Sequence, residues 1–259
     1  MTIDYRHGIS IFELFVYIPT SFTGLWMAKK HGFKTSSGWI FFTTFSIVQV
    51  IGGCCYLATL HNPQSKALYI ASIVCSSMGM SPLTMACISL LSRANSTIES
   101  THRVAFSNYL FKATHLICAV AMILGIVAMT ENSDISQALT NEKLRITLIL
   151  FLLAWIGLLL LLVLVGSRYI HIARGEHRLL LAVGLSLPPL LVRLIYSFMN
   201  SFSNDQSFSM IWGNPTVMLC MKTLEQMFIV LVCLGIGMTL YPRPPDVASG
   251  GHIRNKRGF

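Results

Sequence analysis

No charged residue occurs between positions 146 and 167, and none between 67 and 92. Each run can cross a hydrocarbon core of roughly 30 Å, which takes about 20 residues at a rise of 1.5 Å each. In lipid no water is at hand to pair with a free N–H or C=O, so such a run has to satisfy its own backbone as a helix. Five further segments share the pattern. The seven expected spans cover about 9–28, 39–60, 66–91, 108–130, 144–166, 178–199 and 215–240. The first is interrupted by Glu13 and the last by Lys222 and Glu225; a six-helix reading would drop one of them. The expected fold is an all-α membrane protein of seven transmembrane helices, one domain over residues 1–240, followed by a disordered basic tail over 241–259.

Composition agrees. The 259 residues are 54% hydrophobic and 11% charged, against roughly 25% charged in ordinary soluble domains. Too few charges remain to cover a water-facing surface, so lipid is the expected solvent. The net charge of +9 does not point to nucleic acid, because the basic residues sit in short loops and the tail. The seven cysteines all fall in apolar segments, without metal-ligand spacing, and read as small packing residues. Residues 1–8 lack the layout of a signal peptide, so the first apolar segment is expected to be kept as a helix.

Loop charge gives an orientation. Lys29, Lys30, Lys34, Arg93, Arg103, Arg168, Arg174, Arg178 and four basic residues of the tail fall on one side, twelve in all. Arg6, Lys66, Lys143 and Arg145 fall on the other. Cytoplasmic loops carry the excess of Lys and Arg, so the N-terminus is expected to be lumenal or outside and the C-terminus cytosolic. The sequon at Asn95 then lies on the cytosolic side and is expected to stay unmodified.

Charged groups at bilayer depth are costly and usually face the bundle interior or a wet cavity. Glu13, Arg193, Lys222 and Glu225 all fall in the half of the membrane expected to be lumenal, and their formal charges sum to zero. Lys222, Glu225 and Gln226 share one helix face by their spacing. Polar residues also recur at helical spacing as Glu13, Tyr17 and Thr20, as Ser46 and Gln49, and as Ser186, Arg193 and Ser197. Polar stripes on the first, second, sixth and seventh helices suggest a pocket between them. The alternative is that the same groups are inter-helix glue, but neutralised pairs alone would not require polar stripes on four helices. His115 reads as a hydrogen-bonded packing residue. Pro19, Pro82 and the Pro188–Pro189 pair each interrupt a helix ladder near mid-membrane.

No phosphate-binding loop, metal cluster, nucleophile elbow or dinucleotide fingerprint is present, so no metal or other cofactor is expected. There is no visible internal repeat of the kind transporters carry.

Three stretches resemble known proteins: Gly8 to Leu14, His31-Gly32-Phe33 with Ser37-Gly38-Trp39, and Gly79 to Leu83 leading to Leu90-Leu91-Ser92-Arg93. They resemble a family of uncharacterised fungal seven-helix membrane proteins. Length and basic tail are also similar to the small membrane proteins of fungal indole-diterpene gene clusters, the paxilline and lolitrem type. That resemblance implies a role in secondary metabolism at the endoplasmic reticulum, with the plasma membrane as the alternative. It implies acid-started cyclisation of an epoxidised prenylated indole, or partnership with membrane-bound enzymes that perform it. In that reading Glu225 is the first choice as general acid and Glu13 the second. Arg193, Lys222, Gln49, Tyr17 and Tyr196 would bind the terpenoid-like substrate, and the lipid bilayer is the other partner. A small-molecule transporter or exporter, and a non-catalytic seven-helix receptor or scaffold, are the alternatives.

Overall fold

The computed structural model describes residues 5–31, 37–62, 65–102, 108–131, 142–171, 175–202, 216 and 219–240. The expected basic tail at 241–259 lies outside them. Among the described residues every regular element is helical. The helices are α1 (Tyr5–His31), α2 (Ser37–Ala58), α3 (Lys66–Met78), α4 (Met80–His102), α5 (Asn108–Thr130), α6 (Glu142–Ser167), α7 (His177–Phe202) and α8 (Leu224–Met238). A π-helical turn, Leu219–Thr223, leads into α8, and a short 3-10 turn follows α6.

These elements make seven spans long and apolar enough to cross a membrane, with α3 and α4 forming one span and the π-turn and α8 another. All seven expected spans are present. Successive spans run in opposite directions. At the end where α1 starts, here the N-terminal face, the His7 ring lies 4.9 Å from that of Tyr56 at the end of α2. On the same face Arg145 at the start of α6 sits 5.0 Å over the ring of Phe202 at the end of α7. At the opposite face Arg93 of α4 meets Glu176, just before α7.

The third span breaks where its sequence requires it. Pro82 offers no N–H to the carbonyl of Met78, and its ring crowds that carbonyl. The helix stops at Met78, passes through Gly79 and restarts at Met80. The two halves then differ in burial. From Gly79 to Leu91 every residue is buried, so this half of the span is the central pillar of the bundle. No residue of α3 is buried.

Around the pillar the core packs Tyr17, Trp39, Phe42, Phe45, Leu158 and Val230. Small residues bring the backbones together, as is usual between membrane helices. A Cβ at Gly24 would meet the Thr43 hydroxyl at 2.7 Å, and one at Gly237 would strike the Trp39 ring. Among the described residues, large apolar side chains are exposed on every span but the third, Phe15 (80% exposed) and Tyr109 among them, which is the surface lipid requires. Pro19 stays within α1, and beside it the Thr20 hydroxyl is within donating distance of the carbonyls of Val16 and Tyr17.

Candidate functional site

The polar residues of the first and last spans converge toward the N-terminal face. One turn of π-helix holds an extra residue and shifts the face that each side chain presents, and such turns are frequent at functional sites. Here it turns two adjacent residues inward: Lys222 and Thr223 are both buried. The Thr223 hydroxyl donates to Glu13 Oε1 at 2.7 Å. Glu13 is also a charged neighbour of Lys222.

Beside this pair, Gln49 Nε2 donates to Gln226 Oε1 at 3.0 Å, both side chains being buried. They lie against the break in the third span, where a Cβ at Gly79 would stand 2.5 Å from Gln49 Nε2 and 3.0 Å from Gln226 Nε2. Only glycine lets the three spans approach this closely. Tyr17 is fully buried, packs edge-on to Phe45 at 5.4 Å, and its hydroxyl has no hydrogen-bond partner. Thr20 and Ser46 join α1 to α2 through hydroxyls 3.3 Å apart.

Arg193 reaches in from α7 and is 2% exposed. Its Nη2 donates to the Ser76 carbonyl of α3 at 3.2 Å, and its guanidinium carbon lies 5.8 Å from the Tyr196 ring centroid. Its Nε and Nη1 have no hydrogen-bond partner, and neither has Oε2 of half-buried Glu225. Arg193 interacts electrostatically with Tyr196, Glu225, Tyr17 and Glu13. Yet Glu13, Lys222, Arg193 and Glu225 make no ion-pair contact within 4.0 Å of one another among the described residues. They form a formally neutral layer, open only in that no two of its charges pair with each other.

Arg193 also borders a cavity of about 70 Å³, walled by α3, α4, α5, α6 and α7, to which Glu13 and Lys222 do not contribute. Arg193, Tyr196 and Asn200 line it, along with Ser81, Ala121 and Phe151. Sequence periodicity suggested a pocket between the first, second, sixth and seventh helices. Of the residues named on that ground, the structure gathers Glu13, Tyr17, Gln49 and Lys222 into one packed polar cluster. Arg193 instead lines the cavity, as does Tyr196, and Glu225 lies in the same layer without an ion-pair contact to Arg193. Thr223 and the Ser76 carbonyl carry contacts that sequence reasoning missed. Phe15, also near this depth, points outward.

Two buried polar groups outside this layer are paired. Arg93 Nε donates to Glu176 Oε1 at 3.5 Å, with both residues buried. His115 Nε2 lies 3.2 Å from the Ser89 hydroxyl, which matches a hydrogen-bonded packing histidine.

No curated protein and no solved structure matches the chain. A family model, described as a domain of unknown function (DUF7702), matches residues 3–243 and thus all seven spans. With its seven helices and its buried charged layer inside the matched region, the chain belongs to the DUF7702 family.

Proposed function

We propose that this protein is a membrane-embedded component of fungal secondary metabolism that takes an apolar, terpenoid-like molecule by an oxygen-bearing end. The observation that carries the reading is the open charged layer. A buried charge with no partner is expensive, and charges that serve only as glue close onto one another. This chain closes one such pair at Arg93 and Glu176. It leaves Arg193 and Glu225 with polar atoms unpartnered in the other half of the bundle. Groups held apart in this way are placed to meet a ligand.

In the finer reading the protein is a terpene cyclase. Glu225, with its free oxygen, protonates the epoxide of a prenylated indole, while Glu13, held by Thr223, is the second acid. Arg193, Lys222, Gln49, Tyr17 and Tyr196 then position the substrate. General acid catalysis of this kind contributes about 10²–10⁴-fold. The N-terminus is lumenal, the tail cytosolic and the membrane that of the endoplasmic reticulum; the twelve-to-four loop charge supports the direction. Substrate would come from membrane-bound enzymes beside it.

Transport is the second reading, favoured by the break at Gly79 and the π-turn at Leu219–Thr223. Discontinuous helices line substrate sites in many transporters. Deletion in the native host with metabolite profiling separates the two. Accumulation of one epoxidised precursor supports the cyclase, and finished product trapped in cells supports transport. An unchanged profile overturns both.

A further inference from the structure

Among the polar groups that line the cavity beside Arg193, the arginine itself has hydrogen-bond donors to spare. Among its serine and threonine hydroxyls, Ser77 donates to the Ile73 carbonyl at 2.8 Å, Ser197 to that of Arg193 at 3.1 Å and Thr147 to that of Lys143 at 2.9 Å. Ser81 is engaged with Cys118. The Arg193 guanidinium carries five N–H donors and cannot lose its charge. One bond, to Ser76, is made, and Nε and Nη1 make none. The nearest carboxylates, Glu13 and Glu225, do not come within 4.0 Å of it.

The rest of the lining is apolar and adaptable. Met78, Met80, Met122 and Met129 all contribute. Methionine is flexible and polarizable, and it recurs at surfaces that accept irregular apolar shapes. The floor of the cavity, at Ser81, Ala121, Phe151 and Arg193, is buried, while the rim at Val74, Met78, Met122 and Ile126 is partly exposed. The rim includes α3, the helix with no buried residue.

Size sets what can enter. An apolar cavity of about 150 Å³ takes benzene, and this one measures about 70 Å³. A fused-ring terpenoid does not fit inside it. The end of a chain does, with its body lying along the exposed rim among lipid tails. We infer that this cleft binds the acceptor oxygen at the end of a chain-like apolar molecule, with Arg193 as the hydrogen-bond donor. The inference rests on the reading that this half of the bundle handles an apolar molecule. It adds the side from which that molecule enters and the group by which it is held. Glu225 lies within the electrostatic reach of the same guanidinium.

The test uses the full chain in lipid nanodiscs and three photoactivatable diazirine probes of one chain length: dodecanoic acid, dodecanol and dodecylamine. The acid, or the acid and the alcohol, should label α5 and α7 peptides several-fold above the amine, whose ammonium has no acceptor. Acid above alcohol identifies a carboxylate end, and equal labelling a neutral oxygen; both support the site. Arg193→Met should lower labelling to the amine level. Ala121→Leu, which narrows the floor without touching Arg193, should lower it too and stands if the arginine variant fails to fold. Absent labelling, equal labelling by the amine, or labelling that neither variant changes overturns the inference. Labelling needs no turnover, so an unchanged metabolite profile with intact labelling would count against the functional reading alone.

Discussion

The Thr223 hydroxyl donates to the Glu13 carboxylate across 2.7 Å, joining the π-helical start of the last span to the first span. The bond is possible because the widened turn buries Thr223 next to Lys222. Two positions 210 residues apart in the chain thus fix one corner of the charged layer.

Removing that donor leaves a buried carboxylate short of a partner. Hydrogen bonds to charged groups contribute about 1.5–3 kcal/mol. Thr223→Val should destabilise the purified protein by about that amount, while Thr223→Ser should stay near wild type. Thermal unfolding in detergent reads the difference. Equal stability of the two variants would show that the bond contributes little.

Gly79 is where the third span meets Gln49 and Gln226, and an added methyl would stand 2.5 Å from Gln49 Nε2. Gly79→Ala should cost about 1–3 kcal/mol, the usual range for overpacking. Gly235 has nothing within 4 Å of an added Cβ. Gly235→Ala should be neutral or stabilise by about 0.5–1 kcal/mol, since alanine orders a helix more readily. The two variants compared by unfolding isolate the close approach from the general effect of glycine.

Arg93 and Glu176 form a buried pair at 3.5 Å. Glu176→Gln alone should cost about 3–5 kcal/mol, the usual loss when one charge of a buried ion pair is removed. Adding Arg93→Met to it should recover part of that loss. A double-mutant cycle on unfolding free energies measures the coupling, and strict additivity would contradict the pairing.

Orientation can be read from sealed microsomes. A tag on the N-terminus should be protected from added protease, and one on the C-terminus should be cut. Asn95 is fully buried and should carry no glycan, so glycosidase treatment should leave the gel mobility unchanged.

The spans were legible because hydropathy over about 20 residues depends on composition alone. The break in the third span was legible only in part: Pro82 marks it, but Pro19 and the Pro188–Pro189 pair read the same way and stay inside α1 and α7. The π-turn was not. Nothing in Leu219–Thr223 separates it from an ordinary helix start, and so Thr223 read as one more threonine in a membrane span. Burial of Glu13, Arg193 and Lys222 followed from the cost of charge in lipid. The position of the cavity did not, because polar stripes show which face is inward and not which helices stand opposite. Arg193 is the instructive case. Its stripe placed it toward the first and last helices, while its side chain bonds α3 and also lines the cavity.

The central claim is that the open charged layer acts on a ligand and is more than glue. Glu225→Gln keeps the shape of the side chain and removes the acid. Metabolite profiling of the deleted native host carrying this variant, with its membrane level confirmed equal to wild type, tests the claim most directly. The account predicts loss of the product and return of the precursor, as in the deletion. Product at the wild-type level would contradict it.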